Sequence, residues 1–77
     1  MHHIILYTRD GCHLCKKAKQ DLMELKNELS FSFEEKNIAQ SDELTEQYGL
    51  MIPVVVIDGD VVTYGFVNKF DISKRLQ

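Results

Sequence analysis

Apolar and polar positions along the chain change period several times, and each change marks an element. Ile4-Ile5-Leu6-Tyr7 is a continuous apolar run, the pattern of a short strand covered on both faces. From Cys12 the period becomes helical. Cys12, Cys15, Ala18, Leu22, Leu25 and Leu29 recur every three or four residues, one stripe of an amphipathic helix. Lys16, Lys17, Lys19, Glu24 and Glu28 fall largely off that stripe. Asp10-Gly11 is the turn signal before it, so the helix is expected to begin near Cys12.

Phe31 and Phe33 alternate with Ser32 and Glu34, predicting a second strand that reaches about Asn37. Its Glu34, Glu35 and Lys36 suit a sheet edge, where charge discourages further pairing. Ser41 reads as an N-cap, with Asp42 and Glu43 in the first turn and Gly49 as the stop of a short helix over 42–48. Val54-Val55-Val56-Ile57 is another buried run, and Asp58-Gly59 is a strong hairpin signal leading into Val61-Val62-Thr63-Tyr64. Asn68 is placed to cap a last helix, with Asp71 at its third position and Val67 and Ile72 stapling the first turn.

The element string is β-α-β-α-β-β-α. Its first half implies parallel pairing through a right-handed crossover, and its second half an antiparallel hairpin closed by a helix. An α/β fold with a four-stranded mixed sheet, three helices and helices on both faces satisfies both halves.

Composition narrows the classes. At 77 residues the chain is read as one domain spanning 1–77, small enough to bury only about 60% of its unfolded surface. With 44% hydrophobic and 27% charged residues it has the means to fold. The longest apolar run, Leu50 to Ile57, is eight residues including Pro53, far short of the roughly 20 that span a membrane. The opening Met1–Arg9 segment has no basic region and only a short apolar stretch, so no signal peptide is expected and the cytoplasm is the expected location. His2 and His3 are taken as native residues. A net charge of −3 is not the footprint of a nucleic-acid binder. The charge is uneven, however. Residues 9–19 carry Arg9, Lys16, Lys17 and Lys19 against Asp10, a net of +3, whereas residues 20–68 carry two lysines against ten acids, a net of −8. The positive segment is either an ordinary solvated helix face or a field for the two cysteines inside it.

Those cysteines carry the chemistry. Cys12-His13-Leu14-Cys15 follows a buried strand and opens a helix, a placement that reads as a redox motif. Residues three apart on a helix share a face, so two thiols can close a small disulfide ring. Cys12 lies nearest the helix N-terminus, where unpaired N–H groups and the positive end of the macrodipole favour a thiolate. Arg9, Lys16 and a protonated His13 add to that field. Cys15 lies one turn further, on the apolar stripe. Cys12 is therefore the expected nucleophile and Cys15 the resolving thiol, with exchange passing through a mixed disulfide. Competing readings exist. A purely structural disulfide is disfavoured in a reducing compartment. A structural zinc site needs four ligands, and no second C-x-x-C or His-x₃-His accompanies the first pair. His13 is either a proton shuttle for the thiolate or a surface histidine of little effect.

Strand, C-x-x-C at a helix start, strand, helix, proline-led strand, Asp-Gly hairpin and final helix occur in the order of the glutaredoxin branch of the thioredoxin superfamily. The chain resembles that family over about residues 4–76, and the Cys-His-Leu-Cys site is most similar to its short C-x-L-C glutaredoxin-like group. The resemblance implies a thioredoxin/glutaredoxin-like fold with a cis Ile52-Pro53 bond facing the cysteines, and an Ile52 backbone free to pair with an incoming peptide or glutathione. It puts Arg9 where a lysine usually meets a substrate carboxylate, and Gly65 where a substrate approaches closely. Some positions depart from the family. His13-Leu14 replaces Pro-Tyr, and Met51 replaces a threonine. Tyr64 to Asn68 lacks the Gly-Gly and acidic pair that grip the amino end of glutathione, and Asp71 is the nearest carboxylate.

The expected activity is that of a small monomeric thiol–disulfide oxidoreductase. No tightly bound cofactor is implied. Its partners would be a protein disulfide substrate and a thiol reductant, either glutathione as co-substrate or thioredoxin reductase. Two readings of other classes stand beside it. In one, two chains share an iron–sulfur cluster or zinc through Cys12 with the help of glutathione. In the other, a non-catalytic interaction domain merely keeps the fold.

Overall fold

Four strands and three helices form in a computed structural model that describes all 77 residues. They are β1 (His2–Thr8), α1 (His13–Glu28), β2 (Phe31–Asn37), α2 (Asp42–Tyr48), β3 (Val54–Ile57), β4 (Asp60–Tyr64) and α3 (Lys69–Leu76), with a single 3-10 turn at Ile38–Gln40 between β2 and α2. The sheet order is β2-β1-β3-β4. β1 pairs parallel to β2, and the pairs β1–β3 and β3–β4 are antiparallel. This is the mixed four-stranded α/β sheet that the element string implies, with the charged β2 at an edge. Asp58 and Gly59 both have positive φ, 52° and 88°, as a tight hairpin between twisted strands requires.

One face of the sheet holds the core. Ile4 and Leu6 of β1 and Val55 and Ile57 of β3 pack with Ala18, Leu22 and Leu25 of α1 and with Val67 and Ile72 at the start of α3. The helical stripe read from the sequence is the buried face of α1, and burying one such leucine stabilises the fold by about 1.5–3 kcal/mol. The Asn68 side chain caps α3 by accepting from the Phe70 N–H at 2.8 Å. Lys69 reaches Glu24 at 2.7 Å, tying α3 to α1. Its hydrogen bond to that carboxylate holds the ammonium above the usual lysine range.

The other face departs from expectation. β1 is not covered on both faces: Ile4, Leu6 and Thr8 are buried, whereas Ile5 and Tyr7 are half-buried and His3 is exposed. The cover is too short. α2 has seven residues and none is fully buried. Its Tyr48 ring stacks on Tyr7 at 4.6 Å, so it shields only the end of the strand. Gly49 does end α2, but not through a left-handed conformation. Its φ is −55°, and a Cβ there would lie 2.5 Å from the Thr45 carbonyl oxygen.

β1 also starts earlier than its apolar run. His3 N–H donates to Asp58 Oδ1 at 2.9 Å, Asp58 N–H donates to the His3 carbonyl at 2.9 Å, and the His2 ring meets Asp58 Oδ2. The His2 hydrogen bond, followed by that of the His3 backbone, holds the Asp58 carboxyl below the usual carboxylate range. No helix is long and apolar enough to cross a membrane.

Candidate active site

The C-terminal end of β1 releases the chain into the loop that delivers the cysteines. Gly11 takes φ +78°, a conformation that glycine adopts without steric cost, and the loop turns into α1. Cys12 is the N-cap, with extended φ and ψ, and its sulfur accepts the Cys15 N–H at 3.1 Å. A sulfur thus stands where a capping oxygen would satisfy one of the helix's free amides. The first turn of α1 has no acidic residue to neutralise that end.

Cys12 and Cys15 are joined as a disulfide, with Cα atoms 5.2 Å apart, within the usual span for such bridges. Their environments differ. Cys12 is half-buried, and Cys15 is only 4% exposed, packed at the start of the apolar stripe. An accessible sulfur at a helix N-terminus backed by a buried one is an arrangement for disulfide exchange in two steps.

A cleft of about 440 Å³ opens beside the pair, lined by both cysteines, the 8–11 segment, Lys16 and Lys19 of α1, Glu35 and Asn37 of β2, and Gln40. Lys19 is 2.9 Å from Glu35 and Lys17 is 2.9 Å from Asp21, whereas Arg9 and Lys16 make no ion pair. Of the four cations in residues 9–19, the two without an ion pair, Arg9 and Lys16, are lining residues of the cleft beside the cysteines. Arg9 also borders a second hollow of about 470 Å³, formed by the C-terminal part of α2 with Leu50 and Met51.

Ile52, Pro53 and Gly65 form one unit at the same end of the sheet. The Ile52–Pro53 bond is cis, as the family resemblance implies. Tyr7 pairs with Val54 and Val54 with Tyr64, so the proline loop, Gly65 and the cysteine loop leave the sheet together. Pro53 is fully buried and Ile52 half-buried. The Gly65 N–H is shared by the carbonyls of Met51 at 2.9 Å and Pro53 at 2.8 Å, and Gly65 takes φ +77°. His13 stands apart. It is the exposed first residue of α1, makes no side-chain hydrogen bond and lines neither cleft.

The sequence reading did not single out the β2 side of the cleft. Thr8 Oγ1 donates to Glu35 Oε2 at 3.0 Å, and Asn37 Nδ2 lies 3.4 Å from Asp10 Oδ1. A signal was present: the alternation begun by Phe31 and Phe33 continues to Glu35 and Asn37 on the same face. Nowhere do three or more His, Cys, Asp or Glu side chains converge as a metal-ligand set would.

A thioredoxin-like sheet with a disulfide-capable cysteine pair at the start of its first helix defines a thiol-redox class of protein. A family profile described as Glutaredoxin-like domain (DUF836) matches residues 3–77, and the chain belongs to that glutaredoxin-like family. It is similar to protein Ne2328 from Nitrosomonas europaea, solved by NMR, at 27% identity and a TM-score of 0.85 over 99% of this chain and 92% of that one. It is also similar to protein XcR50 from X. campestris, at 27% identity and a TM-score of 0.80 over 95% and 93% of the two chains. A mutant thioredoxin from Halobacterium salinarum shares the fold, with a TM-score of 0.75 at 16% identity over 97% of this chain and 71% of that one. No curated protein matches the chain.

Proposed function

We propose that this chain is a thiol–disulfide oxidoreductase, a dithiol electron carrier that reduces protein disulfides or mixed disulfides. The observation that carries the reading is the inequality of the two sulfurs: Cys12 is half-buried at the helix N-cap and Cys15 is 4% exposed behind it. In the reduced protein the Cys12 thiolate attacks a partner disulfide. One partner sulfur leaves as a thiolate and the other stays bound to Cys12. Cys15 then attacks the Cys12 sulfur, the second partner thiolate leaves, and two electrons have passed from the Cys12–Cys15 dithiol to the partner.

The neighbouring groups support this assignment. The free amides and positive pole of α1 favour the Cys12 thiolate, and Arg9 and Lys16 add charge that is not tied up in an ion pair. The Ile52-Pro53 loop, linked to Gly65, supplies the edge on which an extended peptide would lie. The reductant is a small thiol such as glutathione or the dithiol of a reductase.

Equilibration across a glutathione redox series, with the states separated by mass, tests the reading. Reversible formation of the Cys12–Cys15 disulfide is expected, with a midpoint within roughly −270 to −120 mV, the range of thioredoxin-like sites. A protein that forms neither the disulfide nor a glutathione adduct at any accessible potential is not an oxidoreductase of this kind.

A further inference from the structure

The sheet has two edges, and they are guarded differently. β2 is one edge and carries Glu34, Glu35 and Lys36, charges that discourage a further strand. β4 is the other, paired only with β3. Between Asp60 and Gly65 it reads Val61-Val62-Thr63-Tyr64, without a charge. α3 follows it but is tied to α1 through Lys69 and Glu24, 2.7 Å apart. A hollow of about 300 Å³ is left between α3 and β4, lined by Val62, Thr63, Asp71, Ile72, Lys74 and Arg75. The two faces of this edge differ. Val61 and Tyr64 pair with Val56 and Val54, which alternate with the core residues Val55 and Ile57, and both are exposed. Val62 and Thr63 turn to the α3 side, because a β-bulge opposite Val55 and Val56 inserts one extra residue. That bulge and Asp60 are the strand's only guards. Asp71, Lys74 and Arg75 are exposed beside the hollow, and none makes an ion pair within the chain.

An open strand flanked by unpaired charges of both signs complements a copy of itself. We propose that β4 is the contact edge of a homodimer, in which two copies pair antiparallel through this strand and join their four-stranded sheets. The two-fold axis that sets the two β4 strands antiparallel also sets the two α3 helices antiparallel. Asp71 in the first turn of one α3 then lies along Lys74 and Arg75 in the last turn of the other, and the reciprocal contact forms at the same time. On the opposite face Val61 and Tyr64 of the two copies make one apolar row, the kind of cross-strand pairing of β-branched and aromatic side chains that stabilises sheets. A foreign strand could match the backbone of β4 but not this order of charges, so the occupant is a second copy. β4 runs in the same direction as β1. The axis therefore sends the two cysteine sites to opposite ends of the joined sheet and leaves both open. The inference is independent of what the cysteines do, and the pair stands in place of the expected monomer.

Sedimentation at low ionic strength tests it, with the Cys12–Cys15 disulfide closed so that no intermolecular disulfide contributes. The concentration is taken from about 5 μM to about 1 mM, which covers weak interfaces of this size. The mass is expected to rise from 8.9 kDa towards twice that value, and a single 8.9 kDa species throughout overturns the proposal. Val61→Lys puts the lysine guard of an edge strand at an exposed position and should weaken association at least about tenfold. A Val61→Lys protein that pairs as tightly as wild type places the contact elsewhere and overturns the proposal. Mixing tests the charge order. Asp71→Lys alone, and the double variant Lys74→Glu with Arg75→Glu, should each stay monomeric where wild type pairs, because each repels its own copy. Their equimolar mixture should pair about as tightly as wild type, and a mixture that stays monomeric overturns the proposal. If circular dichroism shows that a charge variant does not fold, Val61→Lys decides the question alone.

Discussion

The two ends of one sheet are built in opposite ways. At the end where β1 begins, polar groups are satisfied by one another: His2 and His3 with Asp58, and His3 with Ser32 and Glu34. At the end where β1 finishes, the chain opens. A left-handed glycine, a cis-proline loop, a sulfur in place of a capping oxygen and two unpaired cations gather there. The first end is closed by hydrogen bonds among its own side chains and backbone. The second leaves amide dipoles, positive charge and an accessible sulfur unsatisfied, which is what exchange chemistry needs from a scaffold. Both ends rest on the same ten-residue core, so reactivity at one end depends on packing that the other end shares.

The largest effect separates the ends by chemistry. Cys15→Ser should stop turnover of a disulfide substrate while Cys12 still reacts once, leaving a mixed disulfide that accumulates and is seen by mass. Full turnover by Cys15→Ser would remove the resolving role. The next substitution should affect both ends together. Leu22 is wholly buried in the shared core, and Leu22→Ala should cost about 2–5 kcal/mol in chemical unfolding. Separate unfolding transitions for the two ends would break the premise of a common core.

A smaller effect sharpens the electrostatic half of the comparison. Replacing Arg9 and Lys16 together by Met should slow alkylation of Cys12 below neutral pH by about two- to fivefold, an effect that shrinks in high salt because both side chains are exposed. The same substitutions should leave stability nearly unchanged, since neither residue makes an ion pair.

The smallest effect belongs to the closed end. Asp58 is held below its ordinary value of 3.8. Its stabilising contribution is therefore present above that pH and fades as pH falls through the lower folded value. The stability gap between wild type and Asp58→Asn should be steady near neutrality and close on acidification. Asn tolerates the positive φ of this turn, so the comparison reads the charge and its hydrogen bonds. A gap that grows in acid would contradict the assignment.

Much of this was legible in the sequence because it is written in local periods. The stripe from Cys15 to Leu25 is the buried face of α1, Asp58-Gly59 is the hairpin, and Ser41 and Asn68 are caps whose side chains accept amide protons. The cysteine pair was legible from its spacing and its place after a strand. What escaped was set by tertiary register. Two adjacent glutamates look alike in a sequence, and only pairing with β1 sends Glu35 to the side of the sheet that carries α1, where it meets Lys19, and Glu34 to the other face. The coverage of β1 depended on whether α2 was long enough, which an apolar run in the strand does not report. The strand start at His2 depended on Asp58, some fifty residues away, and the close approach of Gly49 to Thr45 is a property of one helix end.

The central claim is that Cys12 and Cys15 divide the labour of exchange, and the single-cysteine variants test it most directly. Cys15→Ser and Cys12→Ser are each mixed at neutral pH with oxidised glutathione, and the rate of adduct formation is followed by mass. The account predicts that the Cys12 sulfur in Cys15→Ser reacts at least about tenfold faster than the Cys15 sulfur in Cys12→Ser, the difference expected between a half-buried sulfur at a helix N-terminus and a fully buried one. Equal rates, or a faster Cys15, would contradict it.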